Sequence, residues 1–118
     1  MKEQLDFIKI NTLINNLHNT NTYILNQFEI NFLNQKFNII YPNKTIFYDL
    51  VYRKTNESDA VIFHSKCDKI KGTLIIVRNM ENKKFGGFIT ETWDGYKKVK
   101  KGNKAFIFSL NNFKACDI

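Results

Sequence analysis

Apolar positions in this 118-residue chain change their spacing along its length. Residues 4 to 18 carry Leu5, Ile8, Ile10, Leu13, Ile14 and Leu17, mostly at three- and four-residue intervals. That spacing predicts an amphipathic helix, ended by Asn15-Asn16 and His18-Asn19-Thr20-Asn21. Residues 22 to 34 predict a second helical stretch with Tyr23, Ile24, Phe28 and Phe32 inward, although Phe28, Ile30 and Phe32 also alternate as a strand would. After Lys36 the pattern becomes short β-type runs: residues 37 to 41, a turn at Pro42-Asn43, and residues 45 to 52. The domain is expected to begin near Phe37, with residues 1–36 as an N-terminal helical segment and 37–118 as the domain.

Ser58 or Asp59 can cap a short helix carrying Ala60, Phe63 and Cys67. Gly72 opens a strand over residues 73 to 78, and the polar stretch Asn79-Met80-Glu81-Asn82-Lys83-Lys84 leads into a strand over 85 to 93, so the two read as a hairpin. Asp94-Gly95 turns the chain, a lysine-rich loop follows, and residues 105 to 110 form a third apolar strand. These elements predict an α+β fold with consecutive antiparallel strands. Phe63, Leu74, Ile76, Phe88, Trp93, Phe106 and Phe108 are expected to bury together, because alternation places them on one face of neighbouring strands. One domain of this size can bury roughly two thirds of its unfolded surface. Aromatic residues at 14%, with eleven Phe, supply the bulk for such a core, and Pro42 as the only proline excludes a linker-dominated chain.

Charge is uneven. Between His64 and Lys104, eleven Lys/Arg face four Asp/Glu, so this stretch holds the whole formal charge of +7. Its densest part is Lys97-Lys98-Val99-Lys100-Lys101-Gly102-Asn103-Lys104. Lys97, Lys98, Lys100, Lys101 and Lys104 are the candidate partner-binding residues, a basic loop suited to an acidic protein surface, acidic lipid or nucleic-acid phosphate. Arginine and aromatic readers are nearly missing beside it, with only Tyr96 nearby, which favours a solvated loop over base readout.

Two cysteines make no disulfide scaffold. Residues 1 to 14 interleave Lys2, Glu3, Asp6, Lys9 and Asn11 with apolar residues and hold no signal-peptide hydrophobic region. No apolar run approaches the ~18 residues that span a bilayer. A soluble cytoplasmic protein is the expectation.

Candidate chemistry is sparse. His64 and Cys67 share a helix face, but a zinc site needs four ligands, and Cys116 and His18 supply no second pair. A buried structural Cys67 is the preferred reading. Gly86-Gly87 lies inside an apolar strand with no Lys-Ser/Thr after it, so it is not a phosphate loop; glycines there permit a bulge or close packing. Glu57, Asp59, Glu81, Glu91 and Asp94 form no recognisable acid/base pair, and Asp68 reads as a helix-end acceptor. No catalytic residue, cofactor or metal is assigned.

One series of motifs goes further. Phe63-His64-Ser65-Lys66-Cys67-Asp68 is followed by Thr73-Leu74, then Phe85-Gly86-Gly87-Phe88, Trp93 and Ala105-Phe106-Ile107-Phe108-Ser109-Leu110. The order and spacing resemble the TLDc domain, a eukaryotic module with an F-H-x-K-C-D helix end, a T-L strand, an F-G-G-[YF] strand, a Trp and an A-F-[IL]-F-S-L strand. The resemblance marks Phe63, His64, Lys66, Cys67, Asp68, Thr73, Leu74, Phe85, Gly86, Gly87, Trp93, Phe106, Phe108 and Ser109 as family-motif residues. It implies an antiparallel β-sandwich flanked by helices and a non-enzymatic protein-interaction role, associated with oxidative-stress resistance and with regulation of the vacuolar proton-pumping ATPase. A complete TLDc domain continues past the last strand into a glycine-rich F-G-x-G-D-L segment. This chain is therefore expected to represent the N-terminal part of such a domain, with residues 4 to 35 covering the sheet or a second copy pairing with it.

Overall fold

The computed structural model describes residues 3–12, 24–54, 65–67, 69–92 and 104–118. Six strands and one long helix organise them: β1 (Gln4–Asn11), α1 (Gln27–Ile40), β2 (Phe47–Lys54), β3 (Thr73–Arg78), β4 (Lys84–Ile89), β5 (Ala105–Ser109) and β6 (Lys114–Asp117). The strands form one antiparallel sheet in the order β2-β1-β3-β4-β5-β6. From β3 onward the chain is a meander, whereas β1 inserts between β2 and β3.

The first element departs from expectation. Residues 4–11 are a strand, not the start of a helix. Phe7 does not fit the helical stripe, and Leu5 and Phe7 alternate with Asp6, Ile8 and Ile10 across two faces. A strand hydrogen-bonded on both sides and covered on both faces reads as a nearly continuous apolar run, which resembles helical spacing when only part of it is counted. A register shift between Phe7 and Ile8 against β2 adds to that ambiguity. Local preference for a helix here is weak, since Phe7, Ile8 and Ile10 favour the pleated strand.

The second difference is the extent of α1. It runs through residues 37 to 40, where short β-type spacing was expected. Its start is fixed by a capping box: the Asn26 side chain accepts from the Glu29 backbone N–H at 2.9 Å, and the Asn26 N–H donates to Glu29 Oε1 at 2.8 Å. Leu33 and Phe37, four apart on the inner face, are fully buried. The Tyr41 N–H closes the last turn on the Phe37 carbonyl at 2.7 Å, and Pro42 follows, where a helix cannot continue.

This helix covers one face of the sheet. Leu33 and Phe37 enter a cluster with Ile8, Ile10, Leu74, Ile76, Phe88, Phe106, Phe108 and Leu110. The Phe37 ring is its centre, in edge contact with Phe88 at 4.9 Å and Tyr48 at 5.9 Å and tilted against Phe106 at 5.6 Å. Of the expected core, Leu74, Ile76, Phe88, Phe106 and Phe108 bury together here; Phe63 and Trp93 lie outside the described residues. Removing a ring such as Phe37 or Phe106 costs about 3–5 kcal/mol.

The α+β class stands at this coarse level, with the β content dominant. Among the described residues there is one sheet with a helix on one face rather than the two packed sheets of a sandwich. The β3–β4 hairpin is present as expected and turns through Asn79, whose side chain accepts from the N–H groups of Glu81 and Lys83. Strand β6 was not anticipated. Its turn contains Phe113 with φ 51°, and the Phe113 ring packs edge-on against Phe32 of α1 at 5.6 Å.

Candidate interaction surface

The motif residues split between core and surface. Thr73 and Leu74 open β3 and are buried, as are Phe106 and Phe108 of β5; Ser109 ends β5 half-buried. Residues 65–67 are helical, with Cys67 buried and the Lys66 Nζ 5.9 Å from the centre of the Tyr52 ring. Phe85 is 44% exposed on the sheet face opposite α1. Gly86 and Gly87 lie within β4, and a Cβ at Gly86 would stand 1.8 Å from the Ile75 carbonyl oxygen and 3.0 Å from the tip of the Phe108 ring. That position therefore packs strand against strand. Phe63, His64, Asp68 and Trp93 lie outside the described residues, as do Lys97, Lys98, Lys100 and Lys101.

Lys104 is described, and its surroundings form the candidate surface. Its backbone is held by Thr90, which donates its N–H to the Lys104 carbonyl and accepts the Lys104 N–H on Oγ1, both at 3.0 Å. The exposed Lys104 lines a cleft of about 270 Å³ between the C-terminal end of α1 and the β5–β6 edge. Lys36, Ile39 and Ile40 contribute from α1, and Phe106, Asp117 and Ile118 from the strands. Lys36 Nζ pairs with Asp117 Oδ1 at 2.6 Å and sits 5.6 Å from the Phe106 ring centre. Ile39 is 75% exposed and Ile118 83% exposed, so the rim is apolar.

Strand β6 runs beside this cleft and is the outermost strand on this side of the sheet among the described residues. The Ile118 N–H donates to the Ala105 carbonyl at 3.1 Å, and antiparallel alternation then turns Lys114 and Cys116 toward β5 and the backbone groups of Ala115 and Asp117 outward. The Cys116 thiol makes a weak contact to the outward Asp117 carbonyl at 3.6 Å. The opposite edge differs in character: every residue of β2 is half-buried, whereas Lys114, Cys116 and Asp117 are exposed. No signal in the sequence reading pointed to Lys36, Ile39 or β6. The Asn111-Asn112 turn between an apolar strand and Ala115 was the one available cue.

A second polar cluster is structural. Asp6 is fully buried and receives Arg53 Nε at 2.7 Å, Arg53 Nη2 at 2.9 Å and Gln4 Nε2 at 3.2 Å. Glu29 is buried against Lys84 Nζ at 2.9 Å. Lys9 donates to the Lys71 carbonyl, and burial lowers its pKa below the usual lysine value. Among the described residues no three His, Cys, Asp or Glu side chains come together in a way that could hold a metal ion.

The TLDc domain family model matches residues 18–117, the whole span from α1 to β6. The chain belongs to the TLDc family. No curated protein and no solved structure gives a significant match. TLDc proteins are linked to oxidative-stress resistance, and the domain is a protein-interaction module. Strand β1 precedes the matched span, yet it is the element that joins β2 to the rest of the TLDc sheet. No helix among the described residues is long and apolar enough to cross a membrane.

Proposed function

We propose that this TLDc chain acts in the cytoplasm as a non-enzymatic docking module that contributes to oxidative-stress resistance by binding the vacuolar proton-pumping ATPase and regulating its assembly. The observation supporting an interaction role is the cleft between α1 and β5, lined by the exposed Ile39 and Lys104. The ATPase as partner, and regulation of assembly as outcome, rest on the family resemblance. The concentration of positive charge between His64 and Lys104 favours an acidic partner surface.

The test is binding of the purified chain to purified peripheral-sector subassemblies of the ATPase across a salt series. Saturable binding that survives 200 mM salt is the expected result. An absence of binding would remove the ATPase from the proposal. Binding that falls steeply between about 50 and 200 mM salt, in parallel with binding to anionic vesicles or single-stranded oligonucleotide, would favour a non-specific basic surface instead.

A further inference from the structure

We infer that the outward face of α1 is a self-association surface, on which a second copy of this chain packs its own α1 in antiparallel orientation. The inference goes beyond the docking role proposed above and does not rest on it. The face belongs to one continuous stretch, residues 27 to 39, and uses neither edge of the sheet.

Its apolar residues form a seam. Phe28 and Ile39 are 77% and 75% exposed, and eleven residues make about three helical turns, so the two side chains leave α1 within about 20° of each other. Phe32 and Gln35 fall between them, which gives the four-three-four spacing of positions that pack one helix on another. Phe32 is half-buried, and the Phe113 ring that braces it is itself exposed beside the seam. Leu33 and Phe37 hold α1 to the sheet, whereas Phe28 and Ile39 lie outside the core cluster.

Charge selects the occupant. The exposed residues of α1 are Gln27, Phe28, Asn31, Gln35, Asn38 and Ile39, none of them charged. The two charged residues of the helix are committed elsewhere, Glu29 to Lys84 at 2.9 Å and Lys36 to Asp117 at 2.6 Å. An acidic protein, a nucleic acid or an anionic membrane therefore finds no free cation on this face. Side-chain amides both donate and accept, so these four suit a two-fold contact, in which one surface must be complementary to itself.

Position sets the orientation. In an antiparallel pair centred between Leu33 and Asn34, Phe28 meets Ile39 of the partner subunit, and Phe32 meets Gln35 of the partner subunit, so each exposed anchor covers another. That arrangement opposes the two helix dipoles. It also keeps apart the two copies of Lys104, which stands exposed beside the C-terminal end of α1, whereas a parallel pair would bring them together. A single helix contact is smaller than the interface of a stable dimer, so the pairing is weak, with a dissociation constant on the order of 0.1 mM. Ile39 also borders the cleft of the docking role, so a partner seated there and a second copy compete for that side chain.

The experiment is sedimentation velocity of the full chain from about 10 µM to about 1 mM, where a shift from monomer to dimer is expected. Phe28→Asp and Ile39→Asp change exposed side chains, so both variants should fold, and each should weaken pairing by about tenfold. Orientation is read by disulfide trapping in a Cys116→Ser background, which removes the exposed thiol and leaves the buried Cys67. Oxidising a mixture of Phe28→Cys and Ile39→Cys chains should give the mixed disulfide well above its statistical share, because only the mixed pair sets the two thiols opposite each other. A chain that stays monomeric throughout, unchanged pairing in both aspartate variants, or disulfides in statistical proportion would each overturn the inference. So would a monomer that instead adsorbs to neutral phosphatidylcholine vesicles and loses that adsorption in both aspartate variants, which would assign the face to a membrane.

Discussion

Asp6 and Arg53 meet in two parallel hydrogen bonds, Nε to Oδ1 at 2.7 Å and Nη2 to Oδ2 at 2.9 Å, across the antiparallel pair of β1 and β2. The two partners are not equally buried. The Asp6 side chain has no solvent exposure, while that of Arg53 keeps 28%. Removing Arg53 therefore strands a buried carboxylate, whereas removing Asp6 leaves a guanidinium that water can reach. Arg53→Ala should cost about 3–5 kcal/mol, and Asp6→Ala less. Urea denaturation of both variants measures the order, and a larger loss for Asp6→Ala would contradict it.

Gly86 makes a sharper prediction about the F-G-G motif. Any side chain there enters the space of the Ile75 carbonyl on the paired strand, which cannot rotate away. Gly86→Ala should lose at least the roughly 1–3 kcal/mol of an overpacked core. Gly72 is a milder case, since φ of 68° costs an alanine about 1–2 kcal/mol and its nearest neighbour is the movable end of Lys9. Thermal unfolding should rank Gly86→Ala below Gly72→Ala in midpoint, and the reverse order would refute the close strand approach.

Tyr48 controls the alkaline limit. Its hydroxyl donates to Asn34 Oδ1 at 2.7 Å, and burial raises its pKa well above the ordinary value of 10.0. The unfolded chain therefore loses this proton first, so stability falls as pH rises above about 10 and continues to fall until the folded hydroxyl ionises. Tyr41 is shifted upward by burial as well and adds to the loss. Lys9 acts oppositely. Its folded pKa is lowered, so its contribution improves as pH rises toward 10.5. Tyr48→Phe should cost about 1 kcal/mol near neutrality and flatten the decline between pH 9 and 11. Denaturant midpoints at pH 8 and 11 provide the measurement, and an equal decline in both proteins would exclude Tyr48 as the cause.

Much of the meander was legible before any coordinates. Leu74 and Ile76, Phe88, and Phe106 and Phe108 alternate along β3, β4 and β5 and bury in one cluster, because a half-buried strand writes its period of two directly into the sequence. The family motifs were legible for a related reason: Gly86 is demanded by a neighbouring backbone, which leaves one residue type to choose from. The candidate surface was legible only at Lys104. Lys36 and Ile39 lie in α1 and Ile118 follows β6, and no local spacing announces a cleft built by such distant segments.

By itself the sequence determined that Leu74, Ile76, Phe88, Phe106 and Phe108 bury, the hairpin of β3 and β4, and the resemblance to the family. The tertiary structure decided the rest. Residues 4–11 have a spacing compatible with either helix or strand, and two neighbours, β2 and β3, fix the strand by satisfying the backbone on both edges. Residues 37–40 carry short apolar runs that suit a strand, yet Phe37 completes the helical face begun by Leu33 and fills the space between Phe88, Phe106 and Tyr48. In both segments local preference differs by a few tenths of a kilocalorie per residue, while burying a large apolar side chain is worth about 1.5–3 kcal/mol, so packing chooses the conformation.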